Sequence, residues 1–219
     1  MVKTIIAHIK KDFRIEFRNR YAVSVSFSFA FTTTLAISLA AGGIPFSPQT
    51  HAVILWVIMF FTAMSGLAHI FVREEDRGTS LFLRLNSPAL AVFTAKLLYN
   101  VLLFFVLQCM ILPVYLFFMQ LDVQSPLFFL GYVFLGGIAL SSSLTILAAI
   151  VARAGARGAL FPVISLPVSL PVLWVVIQGT SRSLGRAGFS SPGDMVFLLA
   201  FSGTITAVSY LLFEFVWHD

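Results

Sequence analysis

The chain has 219 residues, of which 59% are apolar and 11% charged, against roughly a quarter charged in ordinary soluble domains. That balance leaves no independent soluble domain and points to one helical membrane domain. The formal net charge of +5 calls for no nucleic-acid partner, because Lys and Arg gather beside membrane spans and orient them. Cys109 is the only cysteine, which excludes an internal disulfide and a paired-cysteine metal site. Within its apolar run it reads as a small buried hydrophobe.

A bilayer core of about 30 Å takes roughly 20 apolar residues as helix. Six stretches meet that length, about 21–41, 51–72, 97–119, 126–152, 158–178 and 195–217. They are continuously apolar, which argues against an alternating membrane barrel. The expected fold is an all-α integral membrane protein of six transmembrane helices, with residues 1–20 forming an interfacial amphipathic helix ahead of them. There Ile6, Ile9, Phe13 and Phe17 share one helical face. Lys3, Lys10, Lys11, Arg14 and Arg18 fall largely on the remainder. Such a helix lies in the inner interface, its apolar face in lipid and its cations among anionic headgroups. A disordered basic tail or a removable signal peptide are the alternatives. The basic region and apolar run are both long for a signal peptide.

In the first span, Ser24, Ser28 and Thr32 repeat every four residues, and Ser26, Ala30 and Thr34 form a second row. Small-residue stripes let membrane helices approach closely, and the first row is taken as the packing stripe. Gly42-Gly43-Ile44-Pro45 closes this span. The second span carries His51 at its outer start and Ser65 and His69 further along. A lone interfacial histidine reads as a boundary residue in preference to a haem or metal ligand. Ser65 and His69 lack the first glycine of a G-x-S-G protease motif and any evident oxyanion hole.

Residues 73–96 form the most distinctive segment, a predicted cytoplasmic coupling loop holding three of the nine acidic residues. The second span runs on into Arg73-Glu74-Glu75, Gly78 breaks it, and Thr79 or Ser80 can N-cap a short helix through Leu85. Ser87-Pro88 then reads as an N-cap with Pro at the first helical position, leading to Lys96 at the entrance of the third span. A charged elbow followed by a short apolar-faced helix suits docking: Glu74, Glu75 and Asp76 set register and Leu81, Leu83 and Leu85 offer apolar contacts. A plain solvated connector is the alternative.

Gln120–Ser125 links the third and fourth spans, and Gly137 and Ser141 repeat the small-residue pattern. Arg153–Arg157 leads to a fifth span interrupted by Pro162, Pro167 and Pro171. Each proline removes a backbone hydrogen bond, giving either an element that bends or lines a cavity, or a static kinked helix. A Gly/Ser-rich stretch from Gly179 to Gly193 precedes the sixth span. Twelve basic residues fall on one side of this topology, against Arg182 and Arg186 on the other. Both termini are therefore expected in the cytoplasm. Span interiors are nearly free of charge, which argues against a proton- or ion-coupled carrier. No G-x-x-x-x-G-K-[ST] occurs, so the chain builds no standard ATP phosphate cradle.

The string Arg73-Glu74-Glu75-Asp76-Arg77-Gly78-Thr79-Ser80-Leu81, with Pro88 and Ala95-Lys96 after it, resembles the cytoplasmic loop of the CcmB family, haem exporter protein B. The proline-interrupted run from Phe161 to Val172 is similar to that family's fifth span, and length and span count agree. Phe82 departs from the Glu that many relatives carry. The resemblance implies a non-catalytic permease subunit of ABC-2-type exporter architecture, acting in cytochrome c maturation in the bacterial inner membrane. ATP is then bound by a CcmA-like ATPase. CcmC-like, CcmD-like and CcmE-like haem-handling proteins and a second permease copy are implied partners, with haem as a handled species and not a resident cofactor. A generic ABC-2-type exporter of another substrate and a non-transporting scaffold for haem-handling proteins are the rival readings.

Overall fold

The computed structural model describes residues 1–67, 69–76, 78–152, 157–185 and 191–218. Among these, helices α1 (Val2–Asn19), α2 (Tyr21–Ala41), α3 (Pro48–Leu67), α4 (His69–Asp76), α5 (Ser80–Asn86), α6 (Ala89–Phe118), α7 (Pro126–Val151), α8 (Arg157–Leu184) and α9 (Pro192–His218) follow one another without a strand. Six are long and apolar enough to cross a membrane: α2, α3 with its continuation α4, α6, α7, α8 and α9. The central pair is α3 and α7, the most enclosed of the six, while α2, α8 and α9 lie at the periphery.

Polarity is inverted relative to a water-soluble protein. Trp174, Leu211 and Phe215 stand on the outer surface, where water would penalise such a patch and lipid does not. Ser141, Ser142, Ser143, Thr145, Asn100 and Gln108 are buried inside. The hydroxyls of Ser142, Ser143 and Thr145 each donate to the carbonyl four residues back. Asn100 Nδ2 donates to Thr145 Oγ1 at 2.9 Å and Gln108 Nε2 to the Val133 carbonyl at 2.8 Å. These bonds satisfy polar groups that hydrocarbon would leave costly. Gly137 matters here because a Cβ on it would lie 2.6 Å from Gln108 Nε2.

The packing stripe on α2 is the reverse of expectation. Ser24, Ser28 and Thr32 point outward, and Ala22, Ser26, Ala30 and Thr34 form the buried row. At about 100° per residue the two serine rows lie roughly 200° apart, so only one can face the bundle. Ser26 takes that role by donating to the Thr62 carbonyl at 3.3 Å and sitting beside Gly66 on α3. Cys109 likewise is exposed, on the outward arc of α6 with Phe105, Val106 and Met110. Pro162, Pro167 and Pro171 are exposed on α8, whose buried side is Phe161, Ser165, Ser169, Val172 and Val176. The helix runs through all three prolines, which face away from the bundle.

The start of α6 also differs from expectation. Pro88, extended at ψ 138°, is the N-cap residue and the helix begins at Ala89. Ser87 instead closes α5. The lead-in is helical because Ala91, Val92 and Phe93 are all buried against the bundle. Lys96 is consequently two turns inside a helix and fully buried, not a residue at a span entrance.

Candidate functional site

Helix α1 has three faces. Its cations Lys10, Arg14 and Arg18 are exposed, and so are Ile6 and Phe17. The third face is His8, Asp12 and Glu16, all buried. Phe13 meets the Tyr99 ring edge-on at 5.0 Å, which turns the acidic stripe toward α6. Glu16 Oε1 accepts the backbone N–H of Ala22 at 2.9 Å and of Val23 at 3.2 Å. It thereby satisfies amides that the start of α2 leaves orphaned. Between the two helices Arg20 adopts the left-handed region (φ 50°), a cost of roughly 1–2 kcal/mol for a non-glycine residue that the Glu16 bonds offset.

Lys96 is the centre of the site. Its Nζ lies 2.6 Å from Glu74 Oε1 and 3.2 Å from Asp12 Oδ2, with the Phe71 ring 5.8 Å away. Lys11 approaches the same Glu74 oxygen at 2.5 Å and Asp12 at 3.6 Å. Two cations therefore face two carboxylates, contributed by α1, α4 and α6. Balanced charge is what makes this burial tolerable: an unpaired ion in a low-dielectric interior costs several kcal/mol. Chemically the cluster is a lock joining the interfacial helix to the root of the elbow. His8 adds a hydrogen bond of 3.1 Å between its Nε2 and Ser87 Oγ, tying α1 to the far end of α5 as well.

The elbow itself is built on Gly78, whose φ of +65° is a conformation that glycine adopts without penalty. The Gly78 N–H bonds to the Glu75 carbonyl and the Thr79 N–H to the Glu74 carbonyl. Thr79 occupies the N-cap position of α5, but its hydroxyl does not cap the helix. Its Oγ1 donates to the Glu74 carbonyl at 3.2 Å, so the side chain fastens the elbow instead. Glu74 turns inward to Lys96, Glu75 is half-buried and Asp76 is exposed. Leu83 joins the core, whereas Leu85 is 78% exposed. Arg84 lies over the Trp217 ring at 5.8 Å, which rests α5 on the end of α9. Arg77 and the side chains of Ser80 and Leu81 lie outside the described residues and atoms.

Burial holds the His8 imidazole below its usual pKa, and the charges of Lys11 and Lys96 add to that, opposed by Asp12 and Glu74. A folded-state value below the unfolded one means that His8 supports docking of α1 above about pH 6.5. That support is lost as pH falls through the lowered value, when a third cation enters the cluster. Acidification from pH 7 to about 5 is expected to lower the protection factors of amides along α1 and α5, measured against the intrinsic exchange rate at each pH, and His8→Gln to flatten the dependence. Equal protection factors at both pH values in the unsubstituted protein rule this out.

The other candidates are packed differently. His51 is buried between the Phe46 ring at 5.7 Å and Tyr115, whose hydroxyl donates to the His51 carbonyl at 3.0 Å. Ser65 is half-buried, and the His69 side chain lies outside the described atoms, as does Arg186. Arg182 and Asp194 form an ion pair at 2.6 Å. The coupling-loop acids are evident in the sequence; that Lys96 and Asp12 complete the cluster around Glu74, and that Glu16 caps α2, is not. A signal was present: His8, Asp12 and Glu16 are spaced i, i+4, i+8 and hold the only two acids of a basic segment.

A family model described as CcmB protein matches residues 3–218. A search of curated proteins gave no match.

Proposed function

The chain belongs to the CcmB family, as a multi-pass permease component of the haem-exporter ABC system of cytochrome c maturation, and from that premise we propose that it converts ATP turnover on a partner subunit into movement of its spans. The work done is haem export or release of a haem-loaded chaperone. The observation that carries this reading is the two-ended elbow. One end, Glu74, is locked to α1 and α6 through Lys96. The other end presents Glu75, Asp76 and Leu85 at the surface, where an ATPase of CcmA type can grip them as one charged and apolar patch. Motion imposed at Leu85 and Asp76 then reaches three helices together, because the lock makes them one body.

The implied assembly pairs two permease copies, in ABC-2-type architecture, with two ATPase chains. CcmC-like, CcmD-like and CcmE-like proteins attend to the haem. Exposed Lys10, Arg14 and Arg18 on α1 support an inner-membrane chain with cytoplasmic termini, since they suit the anionic inner leaflet. Arg182, at the opposite end of the bundle, is neutralised by Asp194. The outward prolines of α8 support a helix that bends against lipid, each lacking one backbone donor.

The test is co-purification of the ATPase with a Glu75→Arg, Leu85→Asp double variant. Both side chains sit at or near the surface, so the fold is expected to survive and ATPase recovery to fall at least about tenfold, as when central contacts of an interface are lost. Undiminished recovery with normal ATP turnover refutes the docking role. Cytochrome maturation that persists with a catalytically dead ATPase favours the scaffold reading instead.

A further inference from the structure

A groove of about 370 Å³ runs between α1, α2 and α6, lined by Phe13, Phe17 and Arg20 on one side and by Leu103, Val106 and Met110 on the other. Its walls α2 and α6 are both long and apolar enough to cross a membrane, so the groove opens into hydrocarbon and not into water. Phe17, Val106 and Met110 are exposed along its lip. Arg20 is exposed where α1 meets α2, directly ahead of the first helix long and apolar enough to cross a membrane. The acid in the lining, Glu16, directs Oε1 to the first amides of α2.

From this arrangement we propose that the groove is a binding site for an anionic phospholipid of the surrounding leaflet. One acyl chain lies along Leu103, Val106 and Met110 and its phosphate pairs with Arg20. An apolar trough between membrane helices, with an exposed cation at its polar end, matches an amphiphile of negative charge. Arginine suits phosphate better than lysine does, because its planar fork offers parallel donors. The exposed cations Arg14 and Arg18 on the same helix raise the local concentration of such headgroups. Arg20 also holds the left-handed joint, so a lipid seated there fixes the angle between α1 and α2. The inference stands on the membrane setting alone and does not depend on the transport reading.

Native mass spectrometry of the delipidated full-length protein, titrated with phosphatidylglycerol or phosphatidylcholine, tests it. The wild type is expected to retain phosphatidylglycerol preferentially. Arg20→Asn removes the charge while tolerating the left-handed backbone, and is expected to weaken retention roughly fivefold, the worth of one surface cation on an anionic membrane. Val106→Trp fills the groove from its lipid-facing lip and is expected to abolish retention while the protein still elutes as one species. Equal retention of both lipids overturns the proposal, as does unchanged binding by either variant. So does a wild-type dimer that shields the groove and takes up no lipid.

Discussion

Replacing Lys96 by Met is expected to remove about 3–5 kcal/mol of stability, the loss typical when one partner of a buried ion pair is deleted. Met keeps the length of the side chain and most of its packing, so the change isolates the charge. Glu74 retains Lys11 at 2.5 Å, but Asp12 is left with Lys11 at 3.6 Å as its nearest cation. The cluster then carries one negative charge too many in a place where both Asp12 and Lys96 are inaccessible. The double variant Lys96→Met, Asp12→Leu restores balance and is expected to recover most of the loss, because hydrophobic replacement of a buried pair is often neutral or stabilising. Thermal unfolding in mild detergent, read against the Asp12→Leu single variant, gives the coupling between the two sites. A Lys96→Met protein as stable as the wild type contradicts the lock.

The second large effect is expected at two glycines where α7 and α8 meet bulky rings. A Cβ at Gly179 would sit 2.2 Å from the Tyr132 ring, and one at Gly136 would sit 2.4 Å from the Trp56 ring and 2.6 Å from Val176. Neither ring can withdraw freely. Trp56 and Tyr132 are both fully buried, Trp56 Nε1 donates to Thr180 at 2.9 Å, and the Tyr132 hydroxyl reaches the Ser191 carbonyl. Alanine gains up to about 1 kcal/mol over glycine in a helix, while overpacking costs about 1–3 kcal/mol. At such short distances the clash wins, so Gly136→Ala and Gly179→Ala are expected to lower the unfolding temperature. Gly203 on α9 has nothing within 4 Å of its would-be Cβ, and Gly203→Ala is expected to raise stability by about 0.5–1 kcal/mol. Thermal-shift measurements on the three variants check the ordering; a stabilised Gly179→Ala contradicts the packing.

Helical class, the six long apolar helices and the elbow at Gly78 were legible because each rests on local physics: length of apolar run, proline and glycine placement, clustered charge. What the sequence left undetermined was which face of an element turns inward. Two small-residue rows on α2 are equally fit for close packing, and the choice of Ser26 over Ser24 is made by Gly66 and Thr62 on another helix. Lys96 illustrates the same limit. A lysine near a span entrance reads as a snorkelling interfacial residue, and only the distant Asp12 and Glu74 make burial affordable. Leu83 and Leu85 are alike in sequence, yet one packs into the core and the other faces out, because α5 is a single short helix rolled against α9. The family contributes what residue patterns do not contain, the expectation of an ABC ATPase and further cytochrome-maturation components as partners.

The lock has a consequence for biogenesis. Lys96 is 84 residues from Asp12 and 22 from Glu74 along the chain, so the ribosome delivers Lys11 and both acids before the second cation that completes their neutralisation. Before α6 is made, α1 can reach only its partners on α2, α4 and α5, and its seat against α6 is missing. Emergence of the first two turns of α6 supplies Lys96 and closes the cluster. Full seating of α1 therefore requires the third membrane helix as well as the first two, which makes the lock a late step in the assembly of this half of the bundle.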